Sequence, residues 1–222
     1  MTYTGQVAPG GPADSREAGD LVITKVAVDP EMSNNCYLLR CRSTGDQVLI
    51  DAADEPDTLL RLIGDAGLTH VVTTHQHWDH HRALPAVASA TRAEVVAGEP
   101  DAEAITEQTG VPVTRTVADG DTIPVGSCSL RVIRLTGHTP GSIALVYDDG
   151  SGRPHLFTGD SHFPGGPGRT TNPEDFGHIM DDLEAKVFDA LPDETWFYPG
   201  HGNDSTLGAE RGSVPEWLAR RW

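Results

Sequence analysis

Thr74-His75-Gln76-His77-Trp78-Asp79-His80, directly behind the apolar run Thr69-His70-Val71-Val72-Thr73, puts four metal-ligand side chains into six residues. Extended chain alternates sides with a period of two. His75, His77 and Asp79 are therefore expected to leave a strand end in one direction, with Gln76 and Trp78 on the other side. His80 falls where the pattern changes to His81-Arg82-Ala83-Leu84-Pro85-Ala86-Val87-Ala88, which reads as the start of a helix. From there it approaches a neighbouring point at another angle. One cation is then served by His75 and His77, and a second by Asp79 and His80.

Three further ligand types sit beside short apolar runs: His138 in Thr136-Gly137-His138-Thr139-Pro140-Gly141, Asp160 in Phe157-Thr158-Gly159-Asp160-Ser161, and His201 in Tyr198-Pro199-Gly200-His201-Gly202. If all seven meet at one place, the chain from His75 to His201 has to form one folding unit. A solvated histidine turn, or a tag-like cluster that binds metal adventitiously, explains the first motif but leaves the other three unaccounted for.

Hydrophobic periodicity supplies the frame. Leu21 to Val28, Cys36 to Leu39, Val48 to Ile50 and Val71 to Thr74 read as strands, with helices at Pro56 to Ala66 and His81 to Thr91. Leu130 to Leu135, Ile143 to Tyr147 and His155 to Thr158 supply a second set of strands. A helix from about Pro173 to Leu191 carries Phe176, Ile179, Met180, Leu183, Val187 and Phe188 on one broad face. The expected architecture is α/β, two sheets flanked by helices with the ligands at strand ends. Residues 1–18, with Pro9-Gly10-Gly11-Pro12 and no apolar periodicity, read as a mobile leader. Residues 19–222 read as a single catalytic domain.

Charge narrows the partners. A formal net charge of −17 over 222 residues disfavours binding to a phosphate backbone, which needs clustered Lys and Arg. A small-molecule substrate is expected, with no nucleic acid and no membrane, since no span of 18 apolar residues and no secretion signal is seen. Cys36, Cys41 and Cys128 lack the spacing of a zinc ribbon or a disulfide scaffold, which points to free thiols and a cytoplasmic setting. Oligomeric state is not written in the sequence.

The ordered series of motifs resembles the metallo-β-lactamase-fold hydrolases, and within them the small glyoxalase-II-like branch of hydroxyacyl-thiol hydrolases. It covers nearly everything from Leu21 to Trp222, including Asn34-Asn35-Cys36-Tyr37-Leu38-Leu39, Val48-Leu49-Ile50-Asp51, Phe163-Pro164-Gly165-Gly166-Pro167-Gly168-Arg169-Thr170 and Ser205-Thr206-Leu207-Gly208-Ala209-Glu210-Arg211. The resemblance implies a four-layer αββα sandwich. It also implies two divalent metal ions, zinc first with iron or manganese as alternatives. His75, His77 and His138 would hold one ion, and Asp79, His80 and His201 the other, with Asp160 bridging and a shared hydroxide attacking a carbonyl. A thioester suits such a centre because a thiolate leaves without a strong acid. Asp79 and Asp160 are then the catalytic carboxylates, Asp79 as one source of the closing proton.

Three residues are candidates for substrate contact. His162 lies two positions beyond Asp160 and lines the pocket, acts in proton transfer or stays an ordinary polar residue. Trp78 is expected as packing or pocket wall. Arg169, in a Gly/Pro-rich loop, holds an anionic group of the substrate or pairs with a surface carboxylate. His81 reads as a surface or helix-face residue, His70, His155 and His178 as ordinary polar ones, and Asn34-Asn35-Cys36 as the start of a strand, with a place at the border of the site as the alternative.

The substrate stays open among several alternatives. Full-length glyoxalase II enzymes carry a helical domain after the last histidine, whereas 21 residues follow His201, which leaves glutathione specificity unsupported. Lactonases of this fold place a Tyr after the bridging aspartate, where this chain has His162 and Phe163. Zinc β-lactamases with a Cys ligand are disfavoured by Asp160. Persulfide dioxygenases, which use one iron, share a stretch like Gly166-Pro167-Gly168-Arg169-Thr170. A non-catalytic metal-binding protein is the alternative of a different class.

Overall fold

Alternating apolar residues give most strands two different faces, and the two faces enter two different cores. In Cys128–Arg134, Leu130 and Val132 point one way and Ile133 the other; in Ile143–Tyr147, Ile143 and Leu145 oppose Ala144 and Val146. The structure, a computed structural model, describes residues 2–221; Met1 of the expected leader and Trp222 at the end of the expected domain lie outside the described residues.

Seven strands form the first sheet in sequence order: β1 Asp14–Ala18, β2 Leu21–Val28, β3 Asn34–Cys41, β4 Gln47–Ile50, β5 His70–Thr73, β6 Glu94–Gly98 and β7 Arg115–Val117. The second contains β8 Thr122–Val125, β9 Cys128–Arg134, β10 Ile143–Tyr147 and β11 His155–Gly159. A small ribbon of β12 His162–Phe163 and β13 Gly166–Pro167 follows, then β14 Trp196–Pro199 and β15 Ser205–Thr206. The order in the second sheet is β15-β14-β11-β10-β9-β8.

The inner faces meet in one core through Ile23, Leu39, Ile50 and Val72 against Leu130, Leu145, Phe157 and Tyr198. The outer face of the first sheet packs on helices Pro56–Ile63, Leu84–Thr91 and Ala102–Thr109 through Leu59, Leu84, Val87 and Ile105. The outer face of the second is covered by Phe176, Ile179, Leu183, Val187 and Trp217. The layers run helix, sheet, sheet, helix, as the resemblance implied.

Several boundaries differ from the expectation, each for a local reason. The long helix is α-helical over Pro173–Asp182, capped by Asn172 Oδ1 accepting from Asp175 N at 2.9 Å, and then widens into a π turn over Leu183–Phe188. Its six apolar residues are buried as expected. The helix expected from His81 begins at Leu84, because the amides of Arg82 and Ala83 donate to Ala53 O and Ala52 O instead. Pro85 then sits in the first turn, where its missing N–H costs nothing.

The leader reading is corrected too. Asp14–Ala18 pairs antiparallel with Leu21–Lys25 as β1. Upstream of it, Asp14 Oδ2 accepts from Thr4 N at 2.8 Å and Gly5 N at 3.0 Å, while the Tyr3 hydroxyl donates to Asp204 at 2.6 Å. The anchors are polar or distant in sequence, so apolar periodicity does not reveal them.

Candidate metal centre

The carboxyl ends of β5, β11 and β14 lie along one edge of the sandwich, where β4, β5 and β6 run parallel and β11 pairs in parallel with β14. Loops leaving parallel strands at this end are the usual place for a site in an open sheet. Asp160 follows β11, Gly200 and His201 follow β14, and His138 lies in the loop between β9 and β10.

The first motif reaches the site by a different route from strand alternation. β5 ends at Thr73, and Trp78–His80 is a 3₁₀ turn. Thr74 leaves the ladder because its N and Oγ1 donate to Asp51 at 2.8 and 2.9 Å, and Gln76 N donates to Asp101 Oδ2 at 3.0 Å. Two buried aspartates thus set the loop that the sequence pattern assigned to period two.

All seven side chains nonetheless converge. Ligand atoms of His75, His77 and His138 lie within 4.8 Å of one another, as do those of Asp79, His80 and His201, and those of His75, His80 and Asp160. Asp160 reaches both groups, with Oδ1 3.4 Å from His80 Nε2, and Oδ2 3.5 Å from His201 Nε2 and 3.8 Å from His138 Nε2. A Cβ at Gly200 would collide with Asp160 Oδ1 and the His80 ring, so only glycine lets β14 deliver His201 this close.

Four of the five imidazoles are oriented by a hydrogen bond from Nδ1: His75 to Thr74 Oγ1 at 3.0 Å, His80 to Asp51 Oδ2 at 2.8 Å, His138 to Arg169 O at 2.8 Å and His201 to Met32 O at 2.9 Å. An anchored Nδ1–H fixes the tautomer and turns an Nε2 lone pair towards a metal. His75 Nε2, His138 Nε2 and Asp160 Oδ1 are buried and have no hydrogen-bond partner. Buried polar atoms left bare are costly, and a cation is the group that satisfies all three. The residues fit a two-metal centre.

The electrostatics divide the cluster. Burial, then the neighbouring imidazoles of His80, His138, His77 and His201, push His75 well below the ordinary histidine range, and burial lowers His77 and His138. For His80, burial is outweighed by Asp160 and Asp51, which raise it well above that range; for His201, burial is outweighed by Asp79 and Asp160. Burial would raise Asp79, but hydrogen bonding from His201, the charge of His80 and Asn34 Nδ2 hold it below the usual carboxylate range. Three neutral donors on one side favour a bound cation, and on the other the ionised carboxylates of Asp79 and Asp160 do so, with a cation taking the place of the protons they draw onto His80 and His201.

The remaining sequence candidates are placed as follows. Trp78, expected as packing or pocket wall, is 53% exposed, which removes the packing reading, and the Arg82 guanidinium sits 4.6 Å above its ring. It opens the 3₁₀ turn and so misses the core that a continued strand would have given it. His162 is fully buried against Phe197, Phe188 and Trp217 in the helix-covered core, so the pocket-lining alternative gives way to packing. Arg169 is exposed and lines a cavity of about 490 Å³ with Phe163, Pro164, Pro167 and Thr170, while its carbonyl holds His138. His81 is buried outside any helix and bonds Gln76 O at 3.2 Å.

Three further residues support the cluster: Asn34, for which a place at the border of the site is the lesser alternative in the sequence, and Asp51 and Asp101, to which the sequence assigns no role. Asn34, assigned to a strand start, donates from Nδ2 to Asp79 Oδ2 at 2.9 Å. Asp51 holds His80 directly and His75 through Thr74. Asp101 ties the 74–77 loop to the His138 loop by accepting from Gly141 N at 2.7 Å and Thr139 Oγ1 at 2.5 Å. Asp101 had no signal, since Gly98-Glu99-Pro100-Asp101 reads as a turn. Replacing Asp51 by alanine is expected to weaken metal binding about 10- to 100-fold, the usual cost of removing such a partner, as read by chelator competition.

Residues 29–201 match the family model of the metallo-beta-lactamase superfamily, and the chain belongs to that superfamily. Among curated proteins it is 34% identical over 171 residues to a hydroxyacylglutathione hydrolase of Rhodospirillum rubrum, covering 76% of this chain and 62% of the relative. A human hydroxyacylglutathione hydrolase-like protein is 33% identical, with 80% and 59% covered. The chain spans less than two thirds of the length of these relatives. Among solved structures, ETHE1 from Myxococcus xanthus superposes with a TM-score of 0.74 at 31% identity, covering 89% of this chain and 84% of that one. A protein solved in a di-iron-bound form gives 0.66 at 30%, covering 84% and 96%.

Proposed function

We propose that the chain hydrolyses a thioester of a low-molecular-weight thiol at a centre of two divalent cations, zinc first, with iron or manganese as alternatives. His75, His77 and His138 hold one ion, Asp79, His80 and His201 the other, and Asp160 bridges. The single observation that carries this is the pair of inward, unpartnered Nε2 atoms of His75 and His138, each pinned through Nδ1, together with the bare Asp160 Oδ1. The named hydrolase relatives and the di-iron structure support it.

Cations held there supply Lewis acidity towards a carbonyl oxygen and towards water. The chain's own part is to keep the site rigid and anionic on one side. Asp79 is held ionised by Asn34, His201 and His80, which favours binding charge over donating a proton. A thiolate with an ordinary pKa near 8.5 leaves without a strong acid, which matches that arrangement. Arg169 stands over the Phe163-Pro164-Pro167 wall with no carboxylate partner among the described residues, and we assign it an anionic group of the thiol.

The remaining features agree with a small, soluble-phase substrate. The net charge of −17 opposes nucleic acid. No helix among the described residues is long and apolar enough to cross a membrane. Cys36, Cys41 and Cys128 are unpaired, which favours a reducing cytoplasmic setting.

The test is kcat/KM on the metal-replete protein for S-lactoyl conjugates of several thiols, compared with lactones and β-lactams. Carboxylate-bearing thioesters are expected to lead by about a hundredfold. Arg169→Ala should raise KM for those substrates about 10-fold, the scale of one charged hydrogen bond, with kcat little changed. A lead for lactones overturns the thioester assignment, and oxygen consumption with a thiol persulfide replaces it with a dioxygenase.

A further inference from the structure

Lysine occurs at two positions in this chain, against 14 arginines, and one of the two, Lys25 on β2, is fully buried. Its ammonium donates to Gly5 O at 2.8 Å, Gly202 O at 2.8 Å and Asp204 Oδ1 at 2.7 Å, which uses all three N–H groups. A compact tetrahedral donor meets three acceptors arranged around a point, a task that the planar fork of arginine does not perform. Two of the acceptors follow His201 within three residues; the third belongs to the N-terminal segment.

The same loop is gripped from β3. Asn35 Nδ2 donates to Pro199 O and Gly202 O, both at 2.9 Å, Asn35 N donates to Gly200 O at 2.7 Å, and the Tyr37 hydroxyl donates to Pro199 O at 2.6 Å. On its other side Asp204 accepts from the Tyr3 hydroxyl at 2.6 Å and Trp196 Nε1 at 3.1 Å. His201 therefore turns its ring to the cluster while Pro199, Gly202 and Asp204 on either side of it are tied to Asn35, Tyr37 and Lys25.

We propose that Lys25 and the N-terminal segment around Tyr3 and Gly5 are positioning elements for His201, setting the affinity of the metal position that His201 serves and leaving the His75-His77-His138 position alone. This rests on the reading of His201 as a ligand. Breaking the anchor removes the grip on Asp204 and one of the two on the Gly202 carbonyl, while Asn35 and Tyr37 still hold Pro199 and Gly200, so the loop shifts on its 202–204 side and the aim of His201 shifts with it. The three-histidine position has its own anchors in Thr74 and Arg169 O, neither of which touches Lys25.

The experiment compares the parent with Lys25→Met and, as a variant that removes one hydroxyl and leaves the packed ring, Tyr3→Phe. Zinc titration against a chromophoric chelator reads two affinities. One of the two equivalents is expected to lose about 10- to 100-fold in Lys25→Met and about threefold in Tyr3→Phe, with the other within twofold. In the metal-free proteins, the ring resonances of His201 should shift while those of His75 and His138 stay. Unchanged His201 resonances in both variants, or equal weakening of both equivalents, overturns the proposal. A parent that binds fewer than two equivalents, with His201 resonances still moving, overturns the two-metal reading and leaves the positioning role standing.

Discussion

Exchanging Asp160 for alanine is expected to remove metal and turnover together, with kcat/KM falling by about a thousandfold or more, on the scale of several kcal/mol of lost charge stabilisation. The carboxylate is the one acidic group facing both halves of the cluster, 3.4 Å from His80 Nε2, 3.5 Å from His201 Nε2 and 3.8 Å from His138 Nε2. Burial alone would push its pKa up, but His80, His201 and His138 hold it below the ordinary carboxylate range, so it stays ionised where its charge is needed. Asparagine at this position keeps the shape and loses the charge. Asp160→Asn is therefore expected to lose metal nearly as fully, which separates charge from packing. Elemental analysis of chelator-free protein, alongside a thermal unfolding curve to show that the fold survives, gives the answer. Two retained equivalents with near-parent turnover in either variant would remove Asp160 from the bridging position.

The sequence showed which side chains meet but not how the chain brings them there. His75, His77, Asp79, His80, His138, Asp160 and His201 are conspicuous because ligand-type residues crowd beside apolar runs, and burial of those runs places their ends on one edge. The sheets and the long apolar face from Phe176 to Phe188 were legible for the same reason: periodicity reports burial. The 3₁₀ turn at Trp78–His80 was not, since it depends on hydrogen bonds to Asp51 and Asp101, 23 and 25 residues away from Thr74 and Gln76. The roles of Asp51 and Asp101 were hidden likewise, because a single polar residue next to a strand looks the same whether it holds a ligand or faces water. Helix Ala102–Thr109 and strands β6 to β8 passed unread, having short or weakly apolar segments whose burial comes from neighbours. The 2–18 segment illustrates the limit most directly. Composition made it a leader, yet its Gly5 carbonyl accepts from the Lys25 ammonium and its Tyr3 hydroxyl donates to Asp204, the partner of Lys25 near the other end of the chain.

Acid is expected to unfold the metal-free protein well before its ligand carboxylates protonate, and two histidines outside the metal cluster should account for much of the loss. His162 is enclosed by Phe197, Phe188 and Trp217, and burial, only partly opposed by Gly166 O, lowers its pKa to about 4. His155 is buried beside the Tyr198 hydroxyl, 2.7 Å from Nδ1, and burial with the charge of Arg16 also lowers it to about 4. Both are neutral in the folded state at a pH where the unfolded chain, with pKa values near 6.5, takes up protons. A depressed folded pKa gives stability that is complete above the unfolded value and declines as pH falls from about 6.5 towards 4. Each group then costs roughly 2 to 3 kcal/mol between pH 7 and 4.5, and the two together approach the whole stability of many domains. Urea midpoints measured with chelator present, at steps across that range, should fall steeply. His162→Leu, which keeps an apolar side chain between Phe197 and Trp217 and has nothing to protonate, should flatten the slope by about half of the shared contribution. An identical slope in the variant would show that His162 takes up no proton on unfolding, and the acid sensitivity would then come from His155 and the other histidines whose folded-state pKa values burial lowers, His70, His75, His77, His81 and His138.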